Sequence, residues 1–208
     1  MGCDIHLVVE HKRDGKWQYV FDSESFYHER HYEVFAILAN IRNSHGLKPI
    51  SAPRGYPEDI DSELIKNDPL NEDFYRKIQL EEATIWLGDH SHSWLLLSEL
   101  LAYPWDALSP VPITAYIDLP TYEKWDHKSI PYPYCSWTGG DAIMIDEKDY
   151  LALKELNNLI PGRSYYIKVS WSLPHKEIVG ESFKKFLEKL QRIDPDSNNV
   201  RIIFGFDS

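Results

Sequence analysis

The alternation of apolar and polar residues at the start of the chain predicts a β-hairpin. Residues 3–10 and 16–21 favour strands, and Asp14-Gly15 between them is typical of a tight hairpin turn. Successive strand side chains point to opposite faces. The first strand therefore has two faces, made of Ile5, Leu7 and Val9 on one side and of Asp4, His6, Val8 and Glu10 on the other.

Helical periods and strand-forming runs predict the later elements. We expect helices at 32–43, 94–103, 147–159 and 182–192, and strands at 113–119, 142–145, 165–172 and 200–206. Ser91 or Ser93 is a candidate cap for the helix at 94–103. The acidic stretch 59–82 predicts one or two surface helices, and the proline-rich stretches 48–59 and 126–140 predict loops.

The order of these elements indicates the fold class. Strands and helices alternate without a regular strand–helix–strand repeat, which favours an α+β fold with a mixed or mostly antiparallel sheet and flanking helices. At 208 residues, we interpret the chain as a single domain spanning residues 1–208. If a boundary exists, the loop at 126–140 is its best candidate.

Composition and charge narrow the class of partner. No apolar run approaches the roughly 18 to 20 residues that span a bilayer, so no membrane partner is expected. A net charge of -11 argues against a nucleic-acid polymer but leaves room for a small anionic ligand in a local basic pocket. The N-terminal sequence does not resemble a secretory signal, so we expect the protein to lie in the cytoplasm. In that reducing compartment its two cysteines, Cys3 and Cys135, are expected to be free thiols. A homo-oligomer is left open.

Residues 88–94, with the sequence GDHSHSW, carry the strongest chemical signal. They precede the predicted helix at 94–103, whose positive end is a natural anion site. The candidate ligand-binding residues in this segment are Asp89, Ser91, Ser93 and Trp94. His90 and His92 add hydrogen-bond donors or, when neutral, general bases or metal ligands. The alternative is that the polar residues only cap the helix and both histidines lie at the surface.

Asp4 and His6 are the second signal. A carboxylate and an imidazole on one strand face form an acid/base or metal pair, and the apolar run Leu7-Val8-Val9 indicates that both faces are covered. We expect this pair to meet the histidines of residues 88–94 in one enclosed site. Its catalytic candidates are Asp4, His6, His90 and His92. The same four residues are the candidate ligands if the site holds a divalent metal, although no metal-binding spacing motif is present.

Arginine and tryptophan residues supply further candidates for ligand binding. Arg42 lies at a predicted helix end and Arg54 in a proline- and glycine-containing loop, where a guanidinium can grip phosphate or carboxylate. For Arg201 in the last strand, a structural ion pair is the favoured interpretation. Trp137 can stack on a base, although aromatic residues of long loops more often pin the loop to the core.

Five blocks of sequence together resemble a family of small tailed-bacteriophage and prophage proteins. The blocks are MGCDIH at 1–6, YEVFAILANIRN at 32–43, PRGYP at 53–57, HSHSW at 90–94 and VRIIFGFD at 200–207. They span both ends of the chain and leave residues 106–190 uncovered. The resemblance implies a phage protein that acts in the bacterial cytoplasm.

Small phage accessory proteins often counter host defence, and one way is to bind or cleave a nucleotide messenger. By this analogy we expect an anti-defence protein that binds a nucleotide messenger, and the first hypothesis is that it hydrolyses this ligand as a phosphodiesterase does. His90 or His92 would act as base or acid, Asp4 would orient an imidazole, and Arg42 and Arg54 would hold phosphate. Two alternatives remain. One is a sponge that binds the messenger without turnover, and the other is an acidic interaction protein that blocks a host factor.

Overall fold

The computed structural model describes residues 2–61, 77–80, 83–110 and 112–207. They form two compact units, Met1–Ala107 with His175–Ser208, and Leu108–Pro174. The predicted α+β class is confirmed, while the interpretation as a single domain stays a prediction. Among the described residues, no helix combines the length and the apolar character needed to cross a membrane.

The secondary structure of both units follows chain order. The strands in the described ranges are β1 (Asp4–Arg13), β2 (Lys16–Tyr19), β3 (Lys77–Leu80), β4 (Ala83–Trp86), β5 (His90–Leu96), β6 (Ile113–Asp118), β7 (Ile143–Asp146), β8 (Tyr165–Trp171) and β9 (Val200–Asp207). The α-helices there are α1 (Tyr32–Ala39), α2 (Leu97–Ala102), α3 (Leu119–Lys124), α4 (Glu147–Glu155), α5 (His175–Ile178) and α6 (Gly180–Gln191).

The first unit is built on an antiparallel sheet with the strand order β2-β1-β9-β5. The predicted hairpin is confirmed, because Asp14 and Gly15 both have positive φ, at 49° and 78°, as a tight two-residue hairpin turn requires. Strands β3 and β4 form a separate antiparallel pair. The strand that ends the chain thus lies between two strands from the first half.

Helices cover one face of this sheet, which we call the inner face. The buried side chains of the inner face include Ile5, Leu7 and Val9, which the sequence placed together. They belong to one cluster with residues 34–39 of α1 and with Phe183, Phe186 and Leu190 of α6. The opposite, outer face is also covered in part, since Val8 and Glu10 are each 1% exposed. The prediction that both faces of the first strand are covered is therefore confirmed at Val8 and Glu10, whereas the Asp4 and His6 side chains on the same face are 41% and 29% exposed.

The predicted helix at 94–103 is wrong in its first three residues. Residues 90–96 are β5, and α2 begins only at Leu97, where the Glu99 carboxylate accepts a hydrogen bond from the Leu96 amide at 2.9 Å. Ser91 and Ser93 consequently cap no helix. Pairing of this segment with β9 buries Ser93 and Leu95. The free energy gained from this pairing and burial outweighs the local preference for a helix.

Other boundaries differ less. Helix α1 ends at Ala39 rather than near residue 43, because Asn40 adopts a left-handed backbone with φ of 62°. Helix α4 ends at Glu155, four residues earlier than predicted. The surface helices expected at 59–82 are wrong at residues 77–80, which form a strand, and residues 62–76 and 81–82 lie outside the described residues. A second strand follows at 83–86.

The second unit contains a three-stranded sheet with the order β6-β8-β7. Strand β6 is antiparallel to β8, and β7 is parallel to it. Ile117 and Ile167 of the sheet pack with Tyr122 of α3 and Tyr150 of α4 in a separate small core. The predicted loop at 126–140 follows α3 and pairs with β6 through two backbone hydrogen bonds between Tyr116 and Cys135.

Arg201 and Glu10 form a buried ion pair on the outer face of the first unit. They are 2% and 1% exposed, and Arg201 Nε donates to Glu10 Oε2 at 2.6 Å. Arg201 also donates to Asp59 at 2.6 Å, and its guanidinium carbon lies 4.1 Å from the centre of the Trp17 ring. Burial raises the pKa of Glu10, and the Arg201 charge opposes that rise. The structural interpretation of Arg201 is therefore correct.

Loss of this pair is expected to destabilise the fold strongly. The Arg201→Met variant leaves Glu10 buried without its partner, which costs about 3–5 kcal/mol in typical cases. Urea denaturation would measure the free energy of unfolding. Arg192→Met is the matched control, since Arg192 pairs with Glu188 at the surface and is 78% exposed, so little change is expected. Equal losses in the two variants would contradict this account.

Candidate functional site

The candidate site lies at one end of the outer face, where β1 begins and β9 ends. Residues directly opposite each other in an antiparallel pair share a face. The outer-face pairs of these two strands are Asp4 with Asp207, His6 with Gly205, Val8 with Ile203 and Glu10 with Arg201. Val8 and Ile203 are apolar, and Glu10 is ion-paired with Arg201. The candidate acid–base groups therefore lie at the end of the strands that holds Asp4 and His6.

His6 and Asp207 form an imidazole–carboxylate pair. His6 Nε2 lies 3.1 Å from Asp207 Oδ2, and both side chains are about one quarter exposed, at 29% and 27%. The other Asp207 oxygen accepts a hydrogen bond from the Asp4 amide at 3.0 Å, which fixes the carboxylate. The His6 ring packs against Trp86, with ring centres 4.6 Å apart. If His6 is neutral and donates from Nε2, its Nδ1 is the lone-pair atom.

The Asp4 carboxylate forms its ion pair with Arg30 and not with a histidine. Arg30 Nε and one terminal nitrogen donate to the two Asp4 oxygens at 2.7 and 2.6 Å. This two-point hydrogen bond lowers the pKa of Asp4. Gly2 lies directly against the same guanidinium. Asp207 therefore orients the His6 imidazole, the role that the sequence assigned to Asp4.

Gly205 brings His92 onto the same face as His6. A Cβ on Gly205 would lie 2.6 Å from His92 Cδ2 and would collide with the Leu87 carbonyl oxygen. His6 lies directly opposite Gly205 on the other side. Because neighbouring strands are about 4.8 Å apart, the backbones of His6 and His92 are separated by about 10 Å. The two imidazoles therefore lie on either side of Gly205. A side chain at position 205 would block this arrangement.

A β-bulge at Ser91 sends His90 to the opposite face. His90 pairs with Phe206 and Ser93 with Phe204, so β5 contains one extra residue, and Ser91 has φ of 54°. The His90 ring stacks on Phe206, with centres 6.1 Å apart, on the core side of the sheet. His90 and His92 therefore do not act as a pair. His92 shares the outer face with His6, whereas His90 does not, and the expected meeting of these groups in one enclosed site stays a prediction.

His92 is held as a neutral imidazole by its surroundings. Burial lowers its pKa, and a nearby His90 adds to this effect, while the Gly88 carbonyl and Asp89 oppose it. His92 Nε2 donates to Gly88 O at 3.1 Å, which leaves Nδ1 as the lone-pair atom. The His92 ring stacks on Tyr56, with centres 4.6 Å apart and planes 27° apart.

Asp89 lies beside His92 with one carboxylate oxygen unused. Its amide donates to Phe206 O at 2.8 Å, which anchors the backbone. Its Oδ1 is buried and has no hydrogen-bond partner among the described residues. A buried acceptor without a donor is costly, so this atom marks the Asp89–His92 region as locally unsatisfied.

Most of the other predicted ligand residues have structural contacts elsewhere. Arg54 binds both Glu99 oxygens, at 2.9 and 2.6 Å, and its amide donates to the buried Ser93 hydroxyl. The Trp94 ring packs under the same guanidinium at 5.0 Å. These contacts tie the loop at residue 54 to β5 and α2. The geometry therefore gives Arg54, Ser93 and Trp94 a role in holding the loop and not in the His6–His92 site.

The last three predicted ligand residues are scattered. The Ser91 hydroxyl lies 2.9 Å from His90 Nδ1. Arg42 lies near Cys3, where its hydrogen bond lowers a thiol pKa that burial raises more strongly. Trp137 belongs to the second unit and is 73% exposed, so it does not pin its loop to the core.

The four metal candidates do not form a metal centre. His90 faces the core, and Asp4 is bound to Arg30. Within residues 2–61, 77–80, 83–110 and 112–207, no three His, Cys, Asp or Glu side chains are grouped as metal ligands. The arrangement offers paired imidazoles and carboxylates for acid–base chemistry instead.

Several site residues were not anticipated from the sequence. Alternation along β9 placed Asp207 on the face of Arg201 and Gly205, but the pairing of β9 with β1 was needed to bring it to His6. Arg30 and Trp86 carried no sequence signal. Tyr56 lies in the block at 53–57 and was passed over in favour of Arg54.

Comparisons of the chain with protein-family models, with curated proteins and with solved structures found no match. The geometry of the site therefore stands as the evidence for its chemistry.

The neutral state of His92 predicts a pH dependence of stability. Its pKa in the folded protein lies below the usual 6.5, so between these two values the unfolded chain binds more protons. The free energy of unfolding should then fall as the pH decreases through that window. In His92→Gln this slope should be shallower, because the ionisable group is gone.

Denaturant titrations at several pH values would measure this difference between wild type and variant. The slope of the variant is subtracted from that of the wild type, because His175 contributes equally to both slopes. Burial lowers the pKa of His175 as well. Identical slopes would show that His92 is not buried in its neutral form.

Proposed function

We propose that the His6–His92 site binds a small nucleotide-derived ligand. In this proposal the protein is a phage accessory protein that opposes a nucleotide-signalling host defence in the bacterial cytoplasm. The phage setting rests on the sequence blocks described above. The observation that carries the binding function is the placement of two imidazoles, each beside an aromatic ring, on either side of Gly205.

The groups of the site suit a nucleobase better than they suit a phosphate. Asp207 and Asp89 are acceptors, and neutral His92 offers a lone pair at Nδ1. Base amino and imino groups are donors that pair with such acceptors. Trp86 and Tyr56 add aromatic surface on which a planar base can stack. The ligand would therefore enter with its base toward the sheet and its charged part toward solvent.

Turnover by the same groups would require the opposite orientation, with the phosphate of the ligand against His6 and His92. His92 Nδ1 can accept a proton from an attacking water as the new bond to phosphorus forms. A protonated His6 can then donate a proton to the leaving oxygen as the phosphorus–oxygen bond breaks. Asp207 would hold the His6 ring for this step and stabilise its charge.

Binding without turnover is the second candidate, and a specific observation favours it. Two arginines of the first unit are engaged with carboxylates, Arg30 with Asp4 and Arg54 with Glu99. Stabilising the charge of a phosphoryl transition state needs cationic groups or donors aimed at the reacting oxygens. A protein that only sequesters its ligand needs no such group, so binding without turnover requires fewer functional groups than hydrolysis does.

A panel of cyclic dinucleotides and cyclic ADP-ribose isomers tests the proposal. We expect one member to bind the wild-type protein, and His6→Ala and His92→Ala to weaken binding about tenfold or more by removing a direct contact. Calorimetry would measure affinity, and chromatography after denaturation would show whether the ligand is recovered intact. Intact ligand indicates a sponge, and product indicates an enzyme.

His90→Ala is the matched control because His90 comes from the same motif and faces the core. It should bind ligand as the wild type does once folding is confirmed by circular dichroism. If no member of the panel binds, or if His90→Ala loses affinity while His92→Ala keeps it, the proposed site is incorrect.

A further inference from the structure

The second unit contains an open cavity of about 340 Å³ that the proposed function does not use. Its lining comes from the two ends of the segment that holds β7 and α4. The groups that matter here are the side chains of Thr138, Asp141, Arg163, Ser164 and Tyr166, together with the backbone of Gly139. We call it the Arg163 cavity. Its volume falls within the range of about 300–1,000 Å³ that small-molecule sites occupy.

Arg163 supplies the cavity with a cation that is only loosely held. Its guanidinium lies 3.6 Å from Asp141 Oδ2, and the two side chains are 48% and 94% exposed. An ion pair between such exposed groups contributes little to stability. A doubly charged oxyanion can therefore displace Asp141 from Arg163 at small cost. Three of the residues that line the cavity, Thr138, Ser164 and Tyr166, carry hydroxyl groups, and hydroxyl groups are donors that suit the oxygens of such an anion.

Trp137 adds an aromatic surface beside the same cavity. A Cβ on Gly139 would lie 3.2 Å from Trp137 Cη2, so the indole lies across Gly139, which lines the cavity. The ring nevertheless remains 73% exposed. An indole held next to a cavity with most of its surface in solvent can stack on a planar ligand.

We propose that the Arg163 cavity binds a phosphate-bearing ligand with a planar aromatic ring, of the size of a nucleoside monophosphate. Arg163 and the hydroxyl groups hold the phosphate, and Trp137 stacks on the base. This site lies wholly within the second unit and does not depend on the function proposed for the His6–His92 site.

Calorimetry with three probes tests the two halves of the proposal separately. The probes are adenosine 5′-monophosphate, adenosine and inorganic phosphate. The wild-type protein should bind the monophosphate more tightly than either fragment. Arg163→Gln should weaken binding of the monophosphate about tenfold or more, and Trp137→Leu should weaken the monophosphate but leave phosphate binding unchanged.

Asp141→Asn gives a readout that a merely structural role would not produce. Removing the competing carboxylate frees Arg163, so affinity for the monophosphate should rise. The matched control is Lys154→Gln, which removes an exposed positive charge of the same unit that pairs with Glu123 on α3 and does not line the cavity. This control should bind as the wild type does.

The outcome is separable from that of the first proposal. Arg163→Gln should weaken monophosphate binding and leave binding of a cyclic nucleotide at the His6–His92 site unchanged. No binding of the monophosphate by wild-type protein would overturn the inference. So would equal binding by wild type and Arg163→Gln, or adenosine binding as tightly as the monophosphate.

Discussion

The position of β9 between β1 and β5 is the constraint on which the first unit depends. Its pairing joins the last eight residues of the described chain to strands that begin at Asp4 and at His90. That pairing places three contacts of the outer face. Arg201 meets Glu10, Asp207 meets His6, and Gly205 admits the His92 ring. A shift of β9 by one residue would move all three to the core face.

Two local backbone features then decide what the outer face contains. The bulge at Ser91 separates two histidines that a regular strand would have placed together. The glycine at 205 opens a gap that the Leu87–Gly88 backbone and His92 fill. Gly88 is itself closely packed, since a Cβ there would collide with the Phe206 backbone. The site is therefore a product of close backbone packing as much as of its side chains.

Strand alternation and turn chemistry were sufficient to predict much of the fold. The Asp14-Gly15 hairpin, the two faces of β1 and the closing strand follow from short-range patterns. The same reasoning failed at residues 94–96, where cross-strand pairing with β9 overrode a local helical period. It also failed to separate His90 from His92, since a single inserted residue leaves no mark in the hydrophobic pattern. The Asp207 and Arg30 contacts join residues more than 25 positions apart, so no local pattern could reveal them.

The site combines carboxylates, imidazoles and aromatic rings at one end of the sheet. The proposed function requires His6 and His92 to contact the same ligand. Nuclear magnetic resonance of the histidine rings measures this directly. On addition of the cyclic nucleotide or cyclic ADP-ribose isomer that the protein binds, the His6 and His92 ring signals should shift together while the His90 signals stay in place. If this ligand shifts the His90 signals, or moves neither the His6 nor the His92 signals, the proposed site is contradicted.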